Sequence, residues 1–233
     1  MSERSDLVRA HYARPEMLER YRSEGELQPA ERVLVDRYVP RGSSFLEVGT
    51  GGGRAALALA RLGYRVTAND ISPAMIEVAR ETAARLGLDV QFDVGDAAAL
   101  PYEDDAFDAS AFFCNGIGHL GRPEMKRCFA ELRRVTRAGG AVIVSFRTPY
   151  ALNRLLPGLL LRALTRRGER RDDVTVEGAP VHWPSRRTME RLFRGSGIEP
   201  VESTTLRAVI AQRPPRGWEL LIGGQFFLVG RSR

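Results

Sequence analysis

The stretch FLEVGTGGGRAALALA, residues 45–60, joins an apolar strand pattern to an alanine- and leucine-rich helix pattern. Four of the five residues at 49–53 are glycines, which allow a tight turn and a close approach of the backbone to a ligand. The helix that follows would point its first N–H groups at that ligand. The stretch therefore predicts a strand, a ligand-binding turn and a helix of an α/β fold.

The spacing of these glycines restricts the ligand. A dinucleotide-binding loop reads GxGxxG, but here Arg54 stands where the third glycine of that pattern belongs, and the third spaced glycine is Gly53. The spacing disfavours a pyrophosphate ligand and, with it, a nicotinamide-dependent reductase.

Strand and helix patterns alternate on both sides of this stretch. Strands are predicted at 44–48, 65–68, 90–94, 106–114 and 141–146, and near 200–206 and 220–229. Helices are predicted at 54–62, 73–86, 123–137 and 185–195. Alternation of this kind predicts a mostly parallel sheet covered by helices on both faces.

Cap residues support these helix boundaries. Ser72, followed by Pro73, is expected to cap the N-terminus of the helix at 73–86. Gly87 and Gly139 stand where glycines that end helices are usually found.

Composition predicts one globular domain over residues 1–233. Hydrophobic residues make up 43% of the chain and charged residues 27%, which is ordinary for a domain that folds alone. The absence of a signal-peptide pattern, together with only two cysteines, Cys114 and Cys128, predicts a cytoplasmic location. The longest apolar run, 155–161, is too short to span a membrane.

The net charge of +6 could indicate an anionic partner such as nucleic acid or a lipid surface. However, Lys126 is the only lysine among 35 basic residues, which favours a general bias toward arginine over a dedicated binding patch. Nucleic acid is therefore not the expected partner.

Two aspartates follow predicted strands. Asp70 ends the strand after the glycine turn, where a carboxylate can accept both hydroxyls of a ribose, and Asp96 follows the third strand, where it can accept from an exocyclic amine. Each could instead serve only as a turn or helix cap. Gly52 could simply relieve crowding between strand and helix.

The order of these motifs resembles the class I S-adenosylmethionine-dependent methyltransferases, over residues 32–147. The shared pattern is an acidic residue before Gly-x-Gly-x-Gly, an aspartate at the next strand end, and then Gly-Asp-Ala. This chain has Glu47 where the family usually has aspartate. The resemblance implies S-adenosylmethionine as cofactor and a doubly wound, seven-stranded, mostly parallel sheet with an antiparallel last strand and helices on both faces.

The resemblance also implies roles for individual residues. Gly49, Gly51 and the backbone around Thr50 would hold the amino acid part of the cofactor, and Asp70 the ribose. Ile71 and Met75 would pack near the adenine, whose amine Asp96 and Ala97 would contact. The full expected cofactor-binding set is Glu47, Gly49, Thr50, Gly51, Gly53, Asp70, Ile71, Met75, Asp96, Ala97 and Asn115.

The fourth strand ends at the sheet edge where open parallel sheets bind ligands. His119, in the segment that follows, is the candidate catalytic base, with a packed structural histidine as the alternative. Asn115 could bind the cofactor or cap the next loop. Pairs of ligands at metal-binding spacing do not occur, and no metal is expected.

The resemblance also implies substrate contacts from two further regions. Residues 1–40 would form lid helices before the 41–147 core, with Tyr12 and Tyr21 as substrate-binding candidates. Residues 148–197 would form a substrate-side insertion, with His182 and Trp183 as candidates, before a strand pair at 198–233. The arginine-rich segment 152–171 could line an acceptor pocket, touch a membrane surface or simply pack on the sheet.

The sequence thus predicts methyl transfer from S-adenosylmethionine to oxygen, nitrogen or carbon of a small molecule. A nucleic-acid methyltransferase and a non-catalytic cofactor-binding module are the alternatives. The chain is expected to be a monomer or a homodimer, without a transmembrane segment but with peripheral membrane contact left open.

Overall fold

A computed structural model describes residues 3–22, 25–148, 173–176, 179–216 and 225–233. Its helices are α1 Glu3–Tyr12, α2 Pro15–Arg20, α3 Pro29–Tyr38, α4 Arg54–Arg61, α5 Pro73–Leu86, α6 Arg122–Val135, α7 Arg186–Gly195 and α8 Leu206–Ile210, with a 3₁₀ helix at Gly116–His119. Its strands are β1 Ser44–Val48, β2 Arg65–Asp70, β3 Val90–Val94, β4 Phe107–Phe112, β5 Thr136–Arg147, β6 Asp173–Val176, β7 Ala179–His182, β8 Ile198–Thr205 and β9 Gln225–Ser232.

Seven strands form one sheet in the order β3-β2-β1-β4-β5-β9-β8. The pairings from β3 to β5 are all parallel, whereas β9 runs antiparallel to both of its neighbours, β5 and β8. The predicted doubly wound, mostly parallel sheet with an antiparallel last strand is confirmed. From β1 the strand order runs outward to β2 and β3 on one side, and the chain then returns to add β4 and β5 on the other side. β1 and β4 therefore flank the switch point where such sheets bind ligands.

Alternate residues of the central strands point to opposite faces, and each face has its own apolar layer. Phe45 of β1 belongs to a layer with Leu34 of α3 and Leu57 of α4. The next residue, Leu46, belongs to the other layer, with Phe129 of α6. Both faces of the sheet are therefore covered by helices, as a parallel sheet requires.

The caps of α5 are as predicted. The Ser72 hydroxyl accepts a hydrogen bond from the backbone N–H of Met75, and Gly87 ends the helix with φ 64°. The prediction that Gly139 ends a helix is wrong, because α6 stops at Val135 and β5 begins at once. Gly139, with φ 77°, lies instead beside a register shift between β4 and β5.

The predicted strand bounds differ most at β4 and β5. β4 is shorter than the 106–114 prediction, because Cys114 and Asn115 take positive φ values of 52° and 61° that end the strand. β5 is longer than the 141–146 prediction, because it begins at Thr136. That residue pairs with Phe107 of β4 before the register shift.

The regions outside the core contain short elements. β6 and β7 form an antiparallel hairpin, and β7 packs against α1 and the 3₁₀ helix. The segment 152–171 and part of the strand predicted at 220–229 lie outside the described residues. Among the residues that the structure describes, there is no helix with the length and apolar character needed to cross a membrane.

Candidate active site

A cleft of about 790 Å³, partly open to solvent, lies at the carboxyl ends of β1, β2, β3 and β4. Helices α1 and α2, the predicted lid, contribute to its wall through Ser5, Val8 and Tyr12 of α1 and Tyr21 at the end of α2. Ten of the residues singled out in the sequence line it, namely Tyr12, Tyr21, Gly49, Gly51, Asp70, Ile71, Met75, Asp96, Ala97 and His119. Residues that are distant in sequence thus surround one space.

The turn after β1 requires its glycines for different reasons. Gly49, Gly51 and Gly53 have φ values of 68°, 54° and 86°, a region that side chains other than glycine rarely adopt. A Cβ at Gly49 would overlap the ring of Phe112. A Cβ at Gly52 would overlap the backbone carbonyl oxygen of Tyr21, so the crowding at Gly52 comes from the lid, not from strand-to-helix packing.

Asp70 fixes the shape of this turn. One carboxylate oxygen accepts a hydrogen bond from the Gly51 backbone N–H at 2.8 Å, and the other accepts from the Ser72 N–H at 2.9 Å. Burial raises the pKa of Asp70, and these N–H donors oppose that rise. The carboxylate therefore organises the backbone that follows β1 and the backbone that follows β2.

Glu47 and Thr50 lie behind the turn and outside the cleft lining. The Thr50 hydroxyl donates to the buried Glu47 carboxylate at 2.7 Å. Burial raises the pKa of Glu47 to about 7, against the opposing effect of the Thr50 hydrogen bond. Gly53 is packed against the Ala79 side chain of α5 and also lies outside the lining.

A buried ion pair between α3 and α4 supports the turn from the other side. Arg54 donates to both carboxylate oxygens of Glu31, each at 2.9 Å, and the Glu31 side chain is fully buried. The same guanidinium donates to the Cys114 sulfur at 2.9 Å. Burial alone would lower the pKa of Arg54, but the bond to Glu31 outweighs it and raises that pKa.

The adenine-side candidates form the opposite wall. Asp96 accepts a hydrogen bond from the Ala98 N–H at 2.9 Å, which closes the turn after β3. Met75 is almost fully buried, and Ala97 is buried beside it in the cleft lining. A carboxylate next to an apolar wall can bind the amine and the face of an adenine.

His119 and Tyr12 are hydrogen-bonded to each other across the cleft. The Tyr12 phenol oxygen lies 2.8 Å from His119 Nε2, and the Pro180 carbonyl oxygen of β7 lies 3.1 Å from His119 Nδ1. Burial lowers the pKa of His119. Tyr12 of α1 and Pro180 of β7 therefore both contact the imidazole of His119, which follows β4.

Three further sequence candidates, Asn115, His182 and Trp183, also lie away from the cleft lining. Asn115 accepts a hydrogen bond from the Arg147 backbone N–H at 2.8 Å, so its side chain ties the loop after β4 to β5. His182 and Trp183 are buried, with 3% and 8% of their surface exposed. Trp183 follows β7, at the side of the hairpin near the 3₁₀ helix.

Comparison with known proteins identifies the family. A sequence profile described as "Methyltransferase domain" matches residues 45–140. A demethylmenaquinone methyltransferase from Clavibacter sepedonicus is 31% identical over 191 residues, which cover 77% of this chain and 76% of that protein. The chain belongs to the class I S-adenosylmethionine-dependent methyltransferase family. S-adenosylmethionine is the cofactor of that family.

Other relatives match this methyltransferase over less of their length. A demethylmenaquinone methyltransferase from Renibacterium salmoninarum is 34% identical over 154 residues, covering 60% of this chain and 62% of that protein. An uncharacterized protein of Mycobacterium tuberculosis is 34% identical over 124 residues, which are 53% of this chain and only 44% of that protein. The chain thus spans less than two thirds of the length of these curated relatives.

Solved structures share the fold of the methyltransferase. A methyltransferase from Methanosarcina mazei superposes with a TM-score of 0.67 at 19% identity, covering 89% of this chain and 98% of that one. The [4+2]-cyclase SpnF superposes with a TM-score of 0.69 at 19% identity, covering 98% and 96%. At these identities the likeness concerns the fold, which does not determine the reaction.

The cleft of the methyltransferase is chemically suited to its cofactor. Gly49 and Gly51 line it with backbone, Asp70 and Asp96 present carboxylates, and Met75 offers an apolar wall. Sequence reasoning missed other lining residues, namely Ser5, Val8, Asn69, Gly95, Phe112, Phe113, Cys114, Gly116 and Leu120. Asn69 could have been found, because it directly precedes Asp70 at the end of β2.

Proposed function

We propose that this chain transfers the methyl group of S-adenosylmethionine to a small-molecule acceptor, with the acceptor beside His119. One observation carries the proposal. The same cleft is lined by the glycine turn, Asp70 and Asp96 on one side and by Tyr12 and His119 on the other. A donor site and a candidate base therefore share one space, part of which is closed by the lid helices.

The cofactor-binding roles follow from the groups that line the cleft. Asp70 would accept the ribose hydroxyls, and Asp96 the adenine amine, with Met75 and Ile71 against the ring. Bound there, S-adenosylmethionine supplies an electrophilic methyl group on a sulfonium. The chain's contribution is to hold donor and acceptor at reacting distance with water excluded.

The imidazole of His119 is the candidate general base for acceptors that carry an acidic proton. Its depressed pKa keeps it neutral, and therefore able to take a proton, at physiological pH. Apolar side chains of Val8, Phe112 and Leu120 line the same cleft. This lining suits an acceptor with an apolar body.

Two relatives are named demethylmenaquinone methyltransferase, so a reduced short-chain demethylmenaquinone is the first acceptor to test. Phenols, amines and carboxylic acids complete the panel. Methylation of an RNA pool that collapses with modest added salt would instead support the nucleic-acid alternative. Tight cofactor binding without turnover on any acceptor would support a non-catalytic module.

The first prediction concerns the donor site. S-adenosylmethionine and S-adenosylhomocysteine should raise the melting temperature, whereas NAD and NADP should not, since a ligand at about 100 times its Kd adds about 2.7 kcal/mol to the stability. Asp70→Asn should weaken cofactor binding by roughly 100-fold through lost charge-assisted hydrogen bonds. Differential scanning fluorimetry and calorimetry measure both effects.

The matched control is Asp89→Asn, an exposed aspartate in the turn between α5 and β3. It should bind the cofactor like the parent chain. A thermal shift with NAD alone, or an Asp70→Asn chain that binds S-adenosylmethionine normally, would refute the assignment of the donor site.

A further inference from the structure

We propose that Tyr12, and not His119, is the residue that meets the acceptor, and that Tyr12 passes the acceptor's proton to His119. The inference rests on the proposed methyl transfer, and it names the atoms that carry the proton lost by the acceptor. It also restricts the acceptor to compounds with a weakly acidic hydroxyl. The supporting observations are the partners of each ring nitrogen, the position of Tyr12 in the lid and the groups around the pair.

The hydrogen bonds of His119 determine which nitrogen carries the ring proton. Nδ1 lies 3.1 Å from the Pro180 carbonyl oxygen, which can only accept, so Nδ1 carries the proton. In a neutral imidazole the other nitrogen is then an acceptor. The Tyr12 hydroxyl, 2.8 Å from Nε2, therefore donates to it.

This arrangement places Tyr12 between the base and any acceptor. The lone pair of Nε2 is directed at the phenol, so an acceptor hydroxyl could reach Nε2 only by displacing Tyr12. The phenol donates its proton to Nε2, so toward a hydroxyl in the cleft its oxygen can act only as an acceptor. Such a hydroxyl would have to donate its proton to Tyr12.

The surroundings favour the neutral imidazole that this relay needs. From α1, Arg4, His11 and Tyr12 face His119, and the Arg4 guanidinium donates to the His119 backbone carbonyl at 2.8 Å. From β7 come the Pro180 carbonyl and, at the strand end, His182. Burial, with the nearby Arg4 and His11, lowers the pKa of His119.

The step balances in atoms and charge. The acceptor oxygen forms a bond to the donor methyl carbon while the carbon–sulfur bond breaks and its electron pair stays on sulfur. The acceptor's proton moves to the Tyr12 oxygen as the Tyr12 proton moves to Nε2, which leaves an imidazolium. The imidazolium returns its proton to water after the lid opens. The net products are a methyl ether, S-adenosylhomocysteine and one proton.

The relay implies a class of acceptor. A carboxylate or a thioether needs no base, whereas a phenol or an enol must lose its proton as it is methylated. The cleft surface near the pair is apolar, through Val8 and Leu120. A weakly acidic hydroxyl on an apolar ring or chain therefore suits both the relay and the lining.

The first test examines the pair directly in the full-length chain. The chain has only three histidines, so its ¹⁵N imidazole spectrum is simple, and His119→Gln assigns the relevant signals. We expect His119 to be neutral, with the proton on Nδ1. Tyr12→Phe should move the Nε2 resonance, whereas Tyr38→Phe, which removes a hydroxyl bonded to Glu202 outside the cleft, should not. A proton on Nε2, or no change in Tyr12→Phe, would overturn the relay.

The second test measures the kinetics of O-methylation, with the most rapidly methylated phenol of the acceptor panel as the probe. Tyr12→Phe should lower kcat by about 100-fold or more while the Kd for S-adenosylmethionine changes by less than about two-fold. The Tyr12→Phe/His119→Gln double variant should be at most about three-fold slower than either single variant, because a relay fails as a unit. Tyr38→Phe should match the parent chain.

The two proposals fail in different ways. A parent chain that does not bind S-adenosylmethionine would contradict the proposed function and, because the relay rests on that function, the relay as well. A Tyr12→Phe chain that binds the cofactor and retains about half or more of the parent kcat would overturn the relay and leave methyl transfer standing.

Discussion

At the residue scale, the buried acid Glu47 makes the stability of the chain depend on pH. Its pKa is raised by burial from 4.5 to about 7 in the folded chain. Between these two values the folded chain keeps a proton that the unfolded chain releases. The free energy of unfolding therefore falls as the pH rises through this window, and the loss is complete above about pH 7.

Glu47→Gln should remove that decline, because an amide does not ionise. We expect the variant to gain stability relative to the parent chain between pH 5 and pH 8, by up to about 3 kcal/mol. Urea unfolding at both pH values measures the difference. Glu103→Gln, which changes an exposed acid, should show no such gain, and an equal gain there would refute the explanation.

The sequence could predict the site residues that stand at the ends of strands. Asp70 and the glycines follow strand ends, so the parallel topology brings them to one edge of the sheet. It could not predict that Glu31 pairs with Arg54, because 23 positions separate them and only the packing of α3 on α4 makes the contact. It also could not predict that the Tyr12 hydroxyl reaches His119.

At the element scale, the Glu31–Arg54 pair joins α3 to the first turn of α4. Glu31 also accepts from the Gln28 backbone N–H at 2.8 Å, so the same carboxylate caps α3. Glu31→Ala should therefore lower the free energy of unfolding by about 3 kcal/mol or more, since it leaves a largely buried guanidinium without its carboxylate. Urea unfolding at neutral pH measures this loss.

The control for this prediction is Asp36→Ala, which removes an acid from the same helix. Asp36 pairs with Arg32 and Arg41 at the exposed surface, and such pairs contribute less than about 1 kcal/mol. Similar losses of unfolding free energy in the two variants would show that burial does not explain how much the Glu31–Arg54 pair stabilises the fold.

Elements with a clear periodicity were predictable, and elements defined by tertiary contacts were not. The bounds of α5 follow from Ser72, Pro73 and Gly87, which act locally. The early start of β5 depends on its pairing with β4, which local sequence does not indicate. The local pattern therefore predicts a helix end at Gly139, although this glycine lies in a strand. The β6–β7 hairpin contacts α1 and the 3₁₀ helix, and nothing in its local sequence indicates those partners.

At the scale of the whole molecule, β9 joins the two apolar layers. Phe227 belongs to the layer that contains α3 and α4, and its neighbours Phe226 and Leu228 belong to the layer that contains α6. β9 is also hydrogen-bonded to strands on both sides. The loss of β9 would therefore open both faces of the sheet at once.

Phe227→Ala should accordingly destabilise the entire fold as one unit, by about 3–5 kcal/mol for a fully buried phenylalanine. Far-UV circular dichroism and tryptophan fluorescence should report the same shifted unfolding midpoint. Two separate transitions, or a change seen by only one probe, would show that the two layers unfold independently.

The contact between the Tyr21 carbonyl and Gly52 has a consequence for the order of events in a catalytic cycle. It places the end of α2 directly on the turn beside the cleft, while Ser5, Val8 and Tyr12 of α1 line that cleft. Under the proposed function, a spent nucleoside bound in the cleft would depart only after α1 and α2 move away from the turn. We therefore expect the residence time of S-adenosylhomocysteine, and not the methyl transfer itself, to set the ceiling on turnover.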